Sequence, residues 1–419
     1  MLVVSVGGYV IVTWFDGTIT RLPLSLGAGA GAGSGSGSGS GVSHWLLVGT
    51  DSRAGTGNEY GGSTAVAGQR SDTTILAHLA KDGTTTTVSI PRDTYVQIPA
   101  YTDAKGVRHA AGKNKFNHAL DAGGPALLVA TVRQLTGLSV DHYVSVDLAG
   151  FKRVTDAVGG VDVCVLKSAA APDRTLNDAQ NAYVTSSNTN DQFSGWHGGP
   201  GRLHLNGEQA LAFVRQRHGL PEGDISRIQR QQQFLGSVFR TATATATLLS
   251  PVHVASLLFS VRDALSLDQH TSSSDLQALA ERLKGTAVAK VVFATVPVRE
   301  LRASDPHVFS SGGLLQLPTV GSVVVYDQLA LNALLAPLRG QPPRPTPAAA
   351  AVPAPVVPLA PARVRVQVRN ATTRPGLAGR VTSGLARLGF AGSVGADEVP
   401  ELPPPRCATP QPTAKAPTP

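Results

Sequence analysis

DTTILAHLAKDGTTTTVSIP, residues 72–91, holds two strand-like runs, 72–80 and 84–91, on either side of Lys81-Asp82-Gly83. The runs are rich in Thr, Ile and Val, and a three-residue break containing Gly is a hairpin signal. An antiparallel pair is therefore expected here. Before it, HWLLVGT (44–50) reads as a short buried strand that ends in a polar turn at Asp51. After it, GPALLVATVRQLT (124–136) carries apolar residues at helical spacing, with Pro125 near the start. HYVSV (142–146) reads as strand, 148–158 as helix, Gly159-Gly160 as a turn and VDVCV (161–165) as strand. Helices are expected at 206–216 and 226–243, two more in 251–284, and a late strand in KVVFATVPV (290–298). Helices interleave with strands, yet a hairpin is present. This predicts an α/β body with a central mixed sheet and helices on both faces.

The ends of the chain differ from this body. Residues 1–15, MLVVSVGGYVIVTWF, are uncharged and apolar, with no basic residue before Arg21. A bilayer span needs about 20 apolar residues. Residues 1–20 therefore read as the outer part of a single anchoring helix that starts upstream. GAGAGAGSGSGSGSG (27–41) is a tether without packing capacity. The body is expected over 44–300, with an extension over 301–340. QPPRPTPAAAAVPAPVVPLAPA (341–362) reads as an extended linker. A strand–helix–strand pattern returns in 363–399, and the Pro-rich residues 400–419 are expected to be disordered.

The formal charge is +8, and Arg supplies 27 of the 36 basic residues. These are not in runs, and aromatic residues are only 5% of the chain, which argues against nucleic-acid binding. Scattered Arg in short motifs suits phosphate oxygens, which a guanidinium grips with two parallel bonds.

Four polar clusters interrupt the body: Gly49-Thr50-Asp51-Ser52-Arg53, Arg70-Ser71-Asp72-Thr73, Ser89-Ile90-Pro91-Arg92-Asp93-Thr94, and Arg215-Gln216-Arg217 with Asp224, Arg227, Arg230 and Gln231. Strand ends of an α/β body face a common rim, where such folds place ligands. Asp51 and Asp72 could meet there on one hard cation such as magnesium, which takes one or two carboxylates plus substrate phosphates. Arg227, Arg230 and Gln231, at i, i+3 and i+4, share a helix face. Each cluster also has a plainer reading. Asp51, Asp72 and Asp93 fit turn roles, Arg230 a solvated partner of Asp224 or Glu222, and His118, His204 and His218 surface or packing roles. No Gly-x-Ser-x-Gly elbow, Walker loop or dinucleotide fingerprint is present.

Taken in order, LLVGTDSR, RSDTTIL, SIPRDT, KFNHAL, GGPALLVATVRQLTGL, DHYVSVDLAGFKRVTDAVGGVDV, LNGEQALAFVRQRHGLPEGDISRIQRQQ and VVFATVP resemble the LytR-CpsA-Psr family over roughly residues 44–300. Residues 363–390 look like the start of a LytR C-terminal domain, cut short. The resemblance implies a three-layer α-β-α body with a long apolar pocket for a polyprenyl chain, plus a small C-terminal α/β segment. It implies a magnesium-assisted phosphotransferase that moves a glycopolymer such as teichoic acid from polyprenyl pyrophosphate to peptidoglycan. Such an enzyme sits in the cell membrane, single-pass, with its body outside. Asp51 and Asp72 match the magnesium carboxylates. Arg70, Arg92, Arg215, Arg217, Arg227 and Gln231 match the pyrophosphate contacts, and Asp224 the acidic residue beside them. Catalysis would fall to Arg70, Arg92, Asp224 and Asp51. A carboxylate could take the acceptor's proton, with Asp51 and Asp93 both candidates. Competing readings are a polyprenyl pyrophosphatase, a non-enzymatic lipid-binding regulator of wall metabolism, and a DNA-binding regulator, for which no cytoplasmic basic domain is visible.

Overall fold

The computed structural model describes residues 19–24, 26, 41–52, 71–166, 172–177, 182–221, 224–244, 265–284, 290–311, 314–340, 365–368, 377–388 and 391–394. The expected anchor up to residue 18, the tether up to residue 40, the 341–362 linker and the 400–419 tail lie outside them. The chain divides into two units, Met1–Pro343 and Arg344–Pro419.

In the first unit the hairpin forms part of a seven-stranded sheet. Its strands are β1 (Thr20–Leu22), β2 (Ser43–Thr50), β3 (Ser71–Leu79), β4 (Thr85–Ile90), β5 (His142–Val146), β6 (Leu265–Asp268) and β7 (Val291–Thr295). They run in the order β1-β6-β5-β2-β3-β4-β7. β2, β3 and β4 pair antiparallel, while β2 with β5, β4 with β7 and β1 with β6 pair parallel, so the sheet is mixed. Gly83 closes the hairpin at φ +80°, a conformation that Gly adopts at no steric cost. The side chain of Asp82 accepts from the Thr84 N–H at 2.8 Å, an Asx-type turn bond.

Among the described residues six α-helices belong to this unit: α1 (His118–Thr136), α2 (Leu148–Ala157), α3 (Gly207–Arg215), α4 (Asp224–Ala244), α5 (Ser273–Lys284) and α6 (Gln328–Leu335). α1 begins six residues before the expected start and is broken at Gly123 and Gly124, so Pro125 opens its second part. Residues 265–268 were expected in a helix and are instead strand β6, paired with β1 and β5. Four residues carry too little periodicity to separate the two states, and the open sheet edge decides. The rest of the 251–264 helix expectation lies outside the described residues.

Strand alternation splits the core. Leu46, Val48, Leu76, Val88 and Ile90 pack against Leu127, Leu128 and Val132 of α1 and Leu331 and Leu335 of α6. On the other face Trp45, Ala77 and Leu79 meet Leu276 and Leu279 of α5. A separate cluster joins the antiparallel pair Val161–Val165 and Gly201–Leu205 to Phe213 of α3 and Phe234 of α4. Each fully buried Leu or Phe contributes about 1.5–3 kcal/mol. In the Arg344–Pro419 unit, strands Arg365–Val368 and Ala391–Val394 pair parallel, with helix α7 (Leu377–Arg387) between them in sequence.

A polar cluster is buried near the β2 start. His44 and His78 are cross-strand neighbours whose ring nitrogens, Nε2 and Nδ1, lie 3.0 Å apart. The Asp141 carboxylate accepts from the His44 N–H at 2.8 Å and lies 3.3 Å from its Nδ1. Asp268, fully buried, accepts from the N–H groups of Tyr143, His270 and Thr271 and from the Thr271 hydroxyl.

Candidate functional site

At the opposite ends of β2 and β3 the ladder slips by one residue. Gly49 pairs with Thr73 but Thr50 with Ser71, which leaves Asp72 as the extra residue of a bulge. A bulge bends the strand and re-aims a side chain. Arg92 lies in the Pro91–Thr94 turn after β4. That turn is tied by Thr94, whose N–H and hydroxyl both donate to the Pro91 carbonyl, at 3.1 and 2.7 Å. Arg92 Nη1 donates to Asp72 Oδ1 at 2.8 Å, and its Nε to Asp93 Oδ2 at 3.2 Å. Asp93 Oδ1 is in turn 3.2 Å from Lys115 Nζ. Two carboxylates thus fix the guanidinium, and a lysine holds one of them.

The remaining cations come from α3, α4 and the turn between them. α3 starts with a capping box in which Asn206 and Gln209 satisfy each other's backbone, and it ends at Arg215. Gln216 then leaves the helix with extended backbone and is fully buried. Its side-chain amide donates to the carbonyls of Ser187 and His218, at 2.6 and 2.8 Å. This bond pair shapes the turn that carries Arg217 and His218. In α4, Arg227 and Gln231 are both buried, one turn apart.

Between the sheet and α2, α3 and α4 lies a cavity of about 420 Å³. Its body is apolar, walled by Leu47, Ile75 and Val144 of the sheet, Phe151 and Val154 of α2, Leu211 of α3, and Phe234 and Val238 of α4. Asp72, Arg92, Arg215, Arg217, His218, Arg227 and Gln231 also line it. Four arginines in the wall of one apolar cavity make an anion site beside an apolar hole. A smaller cavity of about 60 Å³ shares Asp72, Arg92, Arg227 and Gln231 as its wall.

The structure thus brings six of the sequence-derived site residues together: Asp72, Arg92, Arg215, Arg217, Arg227 and Gln231. Asp51 directly follows Thr50, which lines the cavity, and is itself half-buried. Arg70 and the Asp224 side chain lie outside the described residues. Among the described residues no group of three His, Cys, Asp or Glu is arranged to hold a metal. The donor set is two carboxylates at adjacent strand ends, which suits a cation that completes its shell with phosphate oxygens.

One expectation changes. Arg230 is not solvated. It is buried, donates from Nη2 to the Asn188 carbonyl at 2.6 Å, and lies 4.5 and 5.5 Å from the Phe213 and Trp196 ring centroids. Burial pushes its pKa down to about 10, with the nearby Asp191 charge opposing the shift. His218 packs against Phe193, as a packing role predicts, and also lines the cavity. Its neighbour Asp173 precedes it by 45 residues, so nothing local in the sequence announces the pair. Lys115 had a signal, the KFNHAL string, but nothing in the string tied it to Asp93.

Residues 35–313, more than half of the chain, match the model of the LytR_cpsA_psr family, and residues 363–409 match that of the LytR cell envelope-related transcriptional attenuator. The chain is 33% identical over 374 residues to the cell wall biosynthesis protein LcpA of Corynebacterium glutamicum, covering 82% of this chain and 65% of that protein. It is 36% identical over 206 residues to the polyisoprenyl-teichoic acid–peptidoglycan teichoic acid transferase TagU of Bacillus cereus, covering 49% of this chain and 54% of that protein. The chain therefore spans less than two thirds of the length of these relatives. The crystal structure of TagT of B. subtilis superposes with a TM-score of 0.51 at 22% identity, covering 77% of this chain and 98% of that one, a likeness of fold.

Proposed function

We propose, from the premise that this chain belongs to the LytR-CpsA-Psr family, that it is a phosphotransferase joining a polyprenyl-pyrophosphate-linked wall glycopolymer to peptidoglycan. The observation that carries the reading is the joining of an apolar cavity of about 420 Å³ to a cluster of four arginines and Asp72. An isoprenoid pyrophosphate has the same two-part chemistry. Its hydrocarbon gains from leaving water, and its pyrophosphate from charge-assisted guanidinium bonds. The relatives' names point the same way: TagU is named for teichoic acid transfer and LcpA for wall biosynthesis.

In this reading Arg215, Arg217 and Arg227 offset the charge that builds on the phosphoryl group and on the departing polyprenyl phosphate. Arg92, fixed between Asp72 and Asp93, meets the pyrophosphate without having to be ordered first, so binding costs less side-chain entropy. Magnesium, held by Asp51 and Asp72, would neutralise pyrophosphate oxygens. The apolar residues 1–15 and the Gly-rich tether support a membrane anchor with the body outside. Among the described residues no helix is long and apolar enough to cross a membrane, and residues 1–18 are not among them.

The test is transfer of a labelled glycan from a polyprenyl-pyrophosphate donor to a peptidoglycan fragment, with and without magnesium. Wild-type protein should form the glycan–peptidoglycan phosphodiester, and a folded Asp72→Ala variant should lose both transfer and its magnesium response. Release of glycan phosphate alone would establish a pyrophosphatase instead. Lipid binding without any product would leave a regulator.

A further inference from the structure

Transfer to a sugar hydroxyl needs a group to take the hydroxyl proton, and most carboxylates near the cavity are already committed. Asp93, a candidate from sequence, has one oxygen on Arg92 and the other on Lys115. Asp72 pairs with Arg92. Asp147 caps α2 by accepting from the Gly150 N–H at 2.6 Å. Asp191 is fully buried and accepts from Ser186, Phe193 and Ser194. Asp51 is assigned to the cation.

His218 stands apart. It lines the cavity beside Arg217, with the Phe193 ring against one face at a centroid distance of 4.3 Å. Its Nδ1 lies 3.4 Å from Asp173 Oδ2 and 3.5 Å from the Thr175 hydroxyl, and its Nε2 accepts from Arg217 Nε at 3.4 Å. A carboxylate on one ring nitrogen selects the Nδ1–H tautomer and leaves Nε2 as the acceptor. The charged groups beside it are Asp173 from the strand Asp173–Asn177 and Arg217 from its own turn; Asp72, Arg92, Asp147, Asp191, Arg215 and Arg227 share the cavity wall with it.

We propose that His218, oriented by Asp173, is the general base that activates the acceptor hydroxyl; the assignment rests on the transferase reading above. Arg217 turns to the pyrophosphate when it binds, which exposes Nε2 to the incoming hydroxyl. The hydroxyl proton passes to Nε2 as its oxygen bonds to the glycan-side phosphorus. The bond from that phosphorus to the polyprenyl phosphate oxygen breaks, and the electron pair leaves with polyprenyl phosphate.

The experiment compares wild type, His218→Gln, His218→Ala and Asp173→Asn in the glycan-transfer assay across pH, with polyprenyl pyrophosphate binding measured on the same samples. A positioned base contributes about a hundredfold or more. His218→Gln should lose that much transfer, lose the acidic limb of the rate profile, and keep donor affinity within about threefold. Free imidazole should restore part of the His218→Ala rate, which a packing role would not allow. Asp173→Asn should cost about tenfold. Wild-type transfer and an unchanged pH profile in His218→Gln would overturn the assignment alone. Absence of transfer by the wild type would overturn the reading beneath it as well.

Discussion

Strands β2 and β3 carry a polar cluster at each end, and the two clusters behave in opposite ways. At the His44–His78 end every group closes on another: the rings on each other, Asp141 on His44, and Asp268 on four donors. At the Asp72 end the groups line an apolar cavity instead, and four of them are arginines. Buried polar groups with all bonds closed hold a fold together. Guanidinium groups in the wall of an apolar cavity suit an anionic, part-apolar ligand instead.

The comparison can be broken most forcefully at Asp268. Asp268→Ala leaves buried N–H groups of Tyr143 and Thr271 without their acceptor, and should cost about 3–5 kcal/mol in denaturant unfolding. Asp72→Ala, at a partly exposed ion pair, should cost no more than about 1 kcal/mol. Equal losses would erase the distinction between the two ends.

Acid should act on the closed end first. Burial, helped by the charges of His44 and Arg282 and opposed by Asp82, pushes the His78 pKa from 6.5 down to about 4. The unfolded chain then binds more protons than the folded one between these values. Stability is therefore full above pH 6.5, falls as pH drops through the window and levels near 4. The loss should be about 1–2 kcal/mol once water access is allowed for. His78→Phe should flatten the unfolding free energy over that range.

At the open end, Arg217 is exposed, so Arg217→Ala should leave the melting temperature unchanged while transfer falls at least about tenfold. Arg217→Lys sharpens this further. An ammonium keeps the charge but not the planar fork, so transfer should settle at about a third of wild type. Full activity in Arg217→Lys would show that only charge matters there.

The sheet's centre was legible because its signals are local. β2, the hairpin and β5 are within a residue or so of their expected ranges, and Gly159 and Gly160 do adopt the left-handed φ of a turn, +87° and +82°. Most of the candidate site was legible for a different reason: its residues sit at strand and helix ends, which a parallel and antiparallel mixture gathers on one rim. What escaped depends on partners distant in sequence. β6 is a strand because β1 and β5 flank it. Arg230 lies three residues from Arg227 and one from Gln231, yet its contacts are with Trp196, Phe213 and the Asn188 carbonyl, and it does not line the cavity as they do. His218 looked isolated because nothing local announces Asp173.

The bulge at Asp72 has a consequence for how this protein tolerates change. Because side chains alternate along a strand, a one-residue insertion works as a change of phase: it decides how the residues on its two sides face relative to one another. Removing Ser71 would let β3 run in unbroken register with β2, Asp72 taking the place opposite Thr50, with its inner hydrogen bonds and core residues in place. Such a chain would still fold, and its carboxylate would point elsewhere. Here activity is written in the count of residues as much as in their identity, and a single-codon deletion could silence the site while leaving the architecture intact.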